Sequence, residues 1–338
     1  MDVIRQTASL WAFFIYWKIF KEMKKMKSMK KLFSLFISMI FISSLLVGCS
    51  KPATNEEKKE NKSAATYPMT ITDSYGKEVT INKKPEKIVS LGPNTTEIVF
   101  ALGLGDKLVG RTDFCDYPSE VSKVESIGSL MEPNVEKIVS LKPDLVLAST
   151  HVKEDVVNKL RDLGITVLAV YEKDSFEGTF TIIEKIGTVL GETEKAKKIT
   201  DDMKAKISAV ETKTKSVTNK PKVYYVVDFG ANGDFTAGGD TFINKIIELA
   251  GGANIAKDLQ GWQYSFEKIV ENDPDIIICT SNFGAKNNLI NDPKYKELRA
   301  VKEGKVFEID ENIIVRQGPR LATGLEEMTK LLHPELFK

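Results

Sequence analysis

One stretch of this chain occurs twice. Residues 134–150 read NVEKIVSLKPDLVLAST, and residues 265–281 read SFEKIVENDPDIIICTS. The tetrad Glu-Lys-Ile-Val and the later Pro-Asp hold the same relative positions in both. Each copy has apolar residues at i, i+3 and i+4 (Val135, Ile138 and Val139; Phe266, Ile269 and Val270), which is one face of a short helix. Asn134 and Ser265 stand where N-caps belong. After the Pro-Asp break comes a branched apolar run, LVLA or IIIC, as a strand buried on both faces requires. The copies lie about 130 residues apart, far beyond the roughly 20–50 of a solenoid, so they predict two lobes of one design.

The flanking segments fit two lobes. KIVSL (Lys87–Leu91) opens the first and KVYYV (Lys222–Val226) the second. Each precedes a helical pattern that stops at glycine, TEIVFALGLG and TFINKIIELAGG. His151–Leu163 followed by ITVLAV (Ile165–Val170) extends the alternation in the first lobe. Its counterpart is expected at Pro293–Val301 leading into VFEI (Val306–Ile309). Strands alternating with helices imply parallel sheets.

Between the lobes, Glu192–Lys215 contains no Gly or Pro and spaces Ala196, Ile199, Met203, Ile207 and Val210 as a narrow helical stripe. A helix of that length reaches roughly 36 Å, enough to cross from lobe to lobe. An ordinary surface helix within one lobe is the alternative, and the position between the two repeats favours the crossing. The expected fold is therefore α/β: two Rossmann-like lobes, residues 67–191 and 218–338, joined by one long helix over 192–217, with a ligand cleft between them.

Residues 1–48 differ in kind. Lys24, Lys25, Lys27, Lys30 and Lys31 form a basic region, and Leu32–Gly48 is almost wholly apolar, ending Leu46-Val47-Gly48-Cys49. This is the layout of a secretory signal. A small residue before cysteine resembles a bacterial lipobox, which predicts a lipidated Cys49; the apolar run is marginal for a membrane span. Residues 1–22 read as an extension upstream of the signal. Residues 49–66 are polar and charged and are expected to act as a flexible tether. Eight of the chain's 48 Lys/Arg but only two of its 47 Asp/Glu lie in residues 1–48, so the remainder is net acidic by five. That balance argues against a nucleic-acid role.

Cysteine and histidine exclude several chemistries. Cys279 lies in a strand-like apolar run and Cys115 in the loop FCDYP, so the two fall in different lobes and no disulfide is expected. His151 and His333 are the only histidines, and no Cys/His cluster has zinc-like spacing. Walker A and G-x-S-x-G motifs are absent from the sequence. GLGD (Gly103–Asp106) ends a helix rather than starting one, and TAGGDT (Thr236–Thr241) reads as a glycine turn. No carboxylate pair stands out as catalytic.

Ligands of open α/β sheets bind beyond the carboxyl ends of the strands. The loops expected there are GPNTTE (Gly92–Glu97), RTDFCDYP (Arg111–Pro118), DFGANGDF (Asp228–Phe235) and DENIIVRQGPR (Asp310–Arg320), with GWQYS (Gly261–Ser265) beside them. They supply Phe114, Tyr117, Phe229, Phe235, Trp262, Tyr264 and Arg316. For any one aromatic, core packing is an equal reading; as a set they suit a large, partly apolar ligand with polar edges.

SLGPNTTEIVFALGLGDKLVG, DFCDYP, NVEKIVSLKPDLVLAS, GGANIAKD and RQGPRL resemble the substrate-binding proteins of ABC importers for cobalamin and iron complexes, over roughly residues 68–336. The resemblance implies two α/β lobes on one long helix that move little on binding, and its DFCDYP and NVEKIV forms are most similar to cobalamin-binding members. It places Phe114 and Trp262 at ring-contacting positions and Arg316 near a polar one. One departure is SLMEPN before the first repeat, where the cobalamin pattern often has a tryptophan. The resemblance also implies that Glu136 and Glu267 dock on arginines of a permease dimer. A carboxylate at such a helix start is favoured by the dipole alone, by about 0.3–1 kcal/mol.

The expectation is a lipid-anchored, extracytoplasmic, monomeric receptor, without catalysis, cofactor or metal, that delivers cobalamin or a related corrinoid to an ABC permease dimer and its ATPase. The runner-up is a ferric-siderophore or heme receptor of the same build, with Tyr117 or Met131 as axial ligand. An exported metal-cofactor chaperone or enzyme is the rival of a different class; it needs Cys or His facing the cleft, and this sequence offers at most Cys115.

Overall fold

The computed structural model describes residues 65–230 and 233–338. Cys49, the apolar run before it and most of the expected tether lie outside the described residues. A hairpin that the sequence reading did not foresee comes first: β1 (Met69–Thr72) pairs antiparallel with β2 (Glu78–Ile81). Its turn closes on the Asp73 carboxylate, which accepts the N–H groups of Tyr75 and Lys77, both at 2.9 Å. Ser74 donates to the Tyr171 carbonyl at 2.7 Å and Tyr75 to that of Val152 at 3.1 Å, so the hairpin is tied to the first lobe.

The first lobe runs β3 (Ile88–Ser90), α1 (Pro93–Ala101), β4 (Leu108–Arg111), α2 (Val135–Ser140), β5 (Leu145–Ala148), α3 (Glu154–Asp162), β6 (Val167–Ala169) and α4 (Phe176–Val189). Its sheet is wholly parallel, in the order β4-β3-β5-β6. Strands β5 and β6 are buried along their whole length, which accounts for their unbroken apolar sequences.

The second lobe runs β7 (Lys222–Asp228), β8 (Asp234–Thr236), α6 (Phe242–Leu249), β9 (Ala253–Asn254), β10 (Gln263–Tyr264), α7 (Phe266–Asn272), β11 (Ile276–Thr280), α8 (Ala285–Asn291), α9 (Arg299–Lys302), β12 (Val306–Ile309), α10 (Asn312–Val315) and α11 (Leu321–Leu332). Strands β9, β11 and β12 run parallel to β7 or its neighbour, while β8 and β10 are antiparallel additions at one edge. The helix expected at Pro293–Val301 is displaced. It forms earlier, as α8, and stops at Asp292, whose ψ of 131° is the extended conformation imposed on a residue before proline. Only α9 and a short 3-10 turn follow before β12.

Between the lobes lies α5 (Thr193–Thr214), 22 residues and so about 33 Å long. It packs on α4 of the first lobe and on α11 of the second. Gly187 lets α4 approach it: a Cβ there would fall 2.2 Å from that of Ala196. The buried stripe Ala196, Met203 and Val210 belongs to one apolar core that also takes in Ile88 and Ile98 of the first lobe and Val223, Ile246 and Leu325 of the second. Each sheet covers its other face with a core of its own, around Val89, Val146 and Leu160 in the first lobe and Tyr224, Ile277 and Tyr295 in the second. The lobes are thus joined by buried side chains as well as by chain connection.

Both repeats fold as helix, break and strand. Asn134 caps α2 by accepting from Lys137 N–H at 2.9 Å, and Ser265 caps α7 by accepting from Lys268 N–H at 3.4 Å. Ile138 and Ile269 are fully buried. Val139 and Val270, assigned above to the same apolar face, are exposed instead, because the six- and seven-residue helices bury only the middle of that stripe.

Candidate functional site

In a parallel βαβ unit the helix returns antiparallel to its strands, so α2 and α7 begin at the carboxyl ends of the strands, where the loops of each lobe also gather. Three of these segments meet across the lobes. Arg316, just past α10 in the second lobe, donates from Nη1 to Glu97 Oε1 at 3.1 Å, and from Nη1 and Nη2 to Asp116 Oδ1 and Oδ2 at 2.6 and 3.2 Å. Arg320 grips the same Glu97 with two bonds, at 2.9 and 2.7 Å, and reaches Asp310 at 3.4 Å. Its guanidinium also stacks over Tyr117, 3.9 Å from the ring centre.

Glu97 and Asp116 come from the first lobe and both arginines from the second. The Glu97 side chain is 2% exposed, so this ion cluster is largely withdrawn from water. Forked arginine–carboxylate bonds are the strong members of their class. The hydrogen bonds from Arg316 hold the Asp116 carboxyl below the usual carboxylate range, against the opposing effect of its partial burial. Burial disfavours the charge on Arg316, but its bonds to Asp116 and Glu97 outweigh that and raise its pKa. Between the arginines, buried Gln317 donates to the Lys173 carbonyl at 3.0 Å, a further tie to the first lobe. RQGPR is therefore a strap laid by the second lobe on the first.

Beneath Glu97 the segment SLGPNTTE makes a buried hydroxyl network. Thr96 donates to Ser90 Oγ at 2.8 Å, Ser90 and Thr95 share a bond of 2.6 Å, and Ser149 bonds Asn94 at 2.7 Å. Cys115 is buried in this layer, against the Thr96 and Thr112 hydroxyls at 3.1 and 3.3 Å. Burial pushes the Cys279 thiol, in β11, up to about 11. Among the described residues no group of three or more His, Cys, Asp or Glu side chains is placed to hold a metal ion.

A groove of about 900 Å³ lies between the lobes. Phe176 and Phe180 of α4 form one wall, Phe242 and Leu249 of α6 the other, and Ile207 of α5 closes the back. Val315 and Trp262 complete it from the second lobe. The lining mixes these apolar side chains with polar ones, Lys173, Lys204, Asp240 and Glu211 among them. Its volume sits at the upper end of small-molecule sites, which run to roughly 1,000 Å³.

The residues singled out from sequence distribute unevenly over this geometry. Trp262 lines the groove and is 48% exposed. Phe114 and Tyr117, 57% and 46% exposed, stand on the β4 loop beside Asp116, and neither they nor Arg316 line the groove. Phe229 packs on Tyr295, ring centres 5.2 Å apart, at the margin of the second lobe's own core. Phe235 is half-buried in β8, opposite Gln263. Tyr264 is buried, its hydroxyl on the Ile255 carbonyl at 3.0 Å.

The arginine chosen from sequence proves engaged by two carboxylates. Met131 is exposed, as is His151, while His333 is buried against the Gly251 carbonyl at 3.1 Å. In TAGGDT the amides of Gly238 and Gly239 bond the carbonyls of Gly261 and Leu259, and a Cβ on Gly239 would fall 1.8 Å from the Lys257 carbonyl oxygen; the turn is a packing device. Glu136 and Glu267 are both exposed in the first turns of α2 and α7. The Glu267 carboxyl is held below its ordinary range by its own N–H and by the Ser265 hydroxyl.

Glu97, Asp116, Arg320 and Gln317 were inside the loops read as site-forming but were not singled out. Their roles depend on partners up to 223 residues away, and the one local signal is a second arginine four residues after Arg316. Phe176 and Phe242 look in sequence like any apolar residue at a helix start.

Residues 88–313 match the family described as periplasmic binding protein. An uncharacterized ABC transporter substrate-binding lipoprotein of Bacillus subtilis, YvrC, is 39% identical over 90% of this chain and 98% of its own length. A cobalamin-binding protein of Halobacterium salinarum is 30% identical over 85% of this chain and 80% of its own. Among solved structures, the periplasmic vitamin B12 binding protein BtuF of Vibrio cholerae is similar with a TM-score of 0.63 and 26% identity, covering 75% of this chain and 99% of that one.

Proposed function

We propose, from the premise that this chain belongs to the periplasmic binding protein family of ABC transporters, that it captures a corrinoid, cobalamin or a close relative, and hands it to a permease. The observation that carries the reading is the groove between the lobes, roomy and lined by aromatic and aliphatic side chains interspersed with polar ones, with the exposed indole of Trp262 among them. A bulky ring with an amide-bearing periphery is served by such a surface: aromatic faces take the ring, and scattered polar side chains take its edge. Phe176 and Phe180 are the aromatics that the first lobe gives to the groove, and Phe114 and Tyr117, exposed on the β4 loop outside it, serve a ligand large enough to reach that loop. A rigid receptor loses little freedom on binding, and the continuous core through α5 together with the RQGPR strap supports rigidity here.

Delivery follows from the paired helices. Glu136 and Glu267 stand at matched positions in the two lobes, which suits a partner with one basic pocket per half. Lipidation of Cys49 holds the receptor at the outer face of the membrane, in keeping with the lipoprotein name of the Bacillus relative.

The test is retention of colour. The protein is mixed separately with cyanocobalamin, hemin and a ferric siderophore, then desalted. The expected result is one equivalent of cyanocobalamin retained with the protein. Retention of hemin or the siderophore alone moves the protein to the iron-complex side of the family.

A further inference from the structure

The ion cluster bears on which ligands the cleft accepts. It holds two guanidiniums, Arg316 and Arg320, against three carboxylates, Glu97, Asp116 and Asp310, so it is net negative by one. The carboxylates are not equivalent. Glu97 is buried and bonded to both arginines, whereas the Asp116 side chain is 55% exposed and bonded to Arg316. Asp116 lies in the same loop as Phe114 and Tyr117, the exposed aromatics of the first lobe.

A ligand settling on those rings meets Arg316 only with its two nitrogens already donating to Asp116. A guanidinium with a free forked edge is the preferred partner of a carboxylate. One whose edge is already filled by an aspartate offers an incoming carboxylate repulsion instead.

We propose that Asp116 is a specificity-determining residue: by occupying the outer edge of Arg316 it excludes ligands that bear carboxylates and favours those with a neutral, amide-bearing edge. This rests on the proposed function and on a ligand that extends from the groove, which Val315 lines next to Arg316, onto the β4 loop that carries Asp116. The lowered pKa of Asp116 is in keeping with it, since the residue stays ionised under ordinary conditions.

Equilibrium binding of cyanocobalamin and of hemin, which carries two propionates, to the full chain tests the assignment. In Asp116→Asn the ratio of hemin to cyanocobalamin affinity is expected to rise about 10- to 100-fold, the worth of one or two charged hydrogen bonds. Asp116→Ser carries the same expectation, and Asp116→Glu is expected to keep the wild-type ratio. Adding Arg316→Gln to Asp116→Asn removes the freed guanidinium and is expected to cancel the gain. A ratio within twofold of wild type in both neutral variants overturns the assignment, as does a gain that survives the loss of Arg316. Failure of the wild-type protein to bind either ligand overturns the reading of the cleft instead.

Discussion

Helices α2 and α7 are built alike, residue by residue. Each begins on a side chain that caps it, Asn134 or Ser265, and each exposes a glutamate in its first turn, Glu136 or Glu267. Each is followed by a residue in the left-handed region, Lys142 at φ 50° and Asp273 at φ 45°. Two residues later an aspartate ties the start of its lobe's first strand. Asp144 accepts the N–H groups of Glu86 and Lys87, and Asp275 accepts that of Lys222.

The facing edges of the lobes are not alike at all. The first lobe brings Glu97 and Asp116 to the cleft; the second brings Arg316, Arg320 and Trp262. The first sheet is wholly parallel, while the second adds the antiparallel β8 and β10. Similarity is kept where a two-fold partner would need it, and lost where an asymmetric ligand would sit. Opposite charges at the facing edges also fix how the lobes meet.

The likeness of α2 and α7 breaks most sharply on charge reversal. Glu136→Lys combined with Glu267→Lys is expected to reduce uptake in cells to the level without the receptor, with solution affinity for the ligand unchanged. A parallel fall in affinity would place these residues in the pocket or the fold. The facing edges break on Glu97→Ala, which removes the buried carboxylate that both arginines share and leaves Arg316 with Asp116 and Arg320 with Asp310. It is expected to cost about 3–5 kcal/mol of unfolding free energy by urea titration, and a cost under about 1 kcal/mol would show that the cluster does not hold the lobes.

Asp144→Ala and Asp275→Ala are expected to cost about 0.5–1.5 kcal/mol each, the net worth of hydrogen bonds to exposed N–H groups at the start of each lobe's first strand. Similar values in the two lobes sharpen the equivalence of the repeats, and a large inequality breaks it. The smallest effect is on pH. The folded pKa of Asp116 is depressed, so its pair with Arg316 contributes stability above the ordinary aspartate value of about 4 and loses it as pH falls through the lower folded value. Asp116 is half exposed, so the contribution is under about 1 kcal/mol. The gap between the urea midpoints of wild type and Asp116→Asn at pH 7 is expected to shrink by pH 2.

Local rules were enough to read the repeat, because cap, apolar stripe, Pro-Asp break and branched strand all sit within 17 residues. The long helix was legible for the same reason: an unbroken polar segment with one apolar stripe has few other uses. The β1–β2 hairpin was missed although MTIT and EVTI alternate around Ser74-Tyr75-Gly76, since a two-stranded sheet gains its stability only from docking on the lobe. In the cleft, sequence reading gave the loops but not the partners. An arginine offers the same letter whether it faces a ligand or an aspartate 200 residues away, and Arg316 does the latter. Phe229 illustrates the matching ambiguity of aromatics, resting on Tyr295 at the edge of the core.

From Cys49 onward the chain contains a single tryptophan, Trp262, so the emission of that fragment reports one position on the groove. Titration of the fragment with cyanocobalamin is the direct test of capture between the lobes. The account predicts saturable quenching that ends at one equivalent and is absent when free tryptophan replaces the protein. Emission that declines only as free tryptophan does, from a fragment shown to be folded, would contradict it.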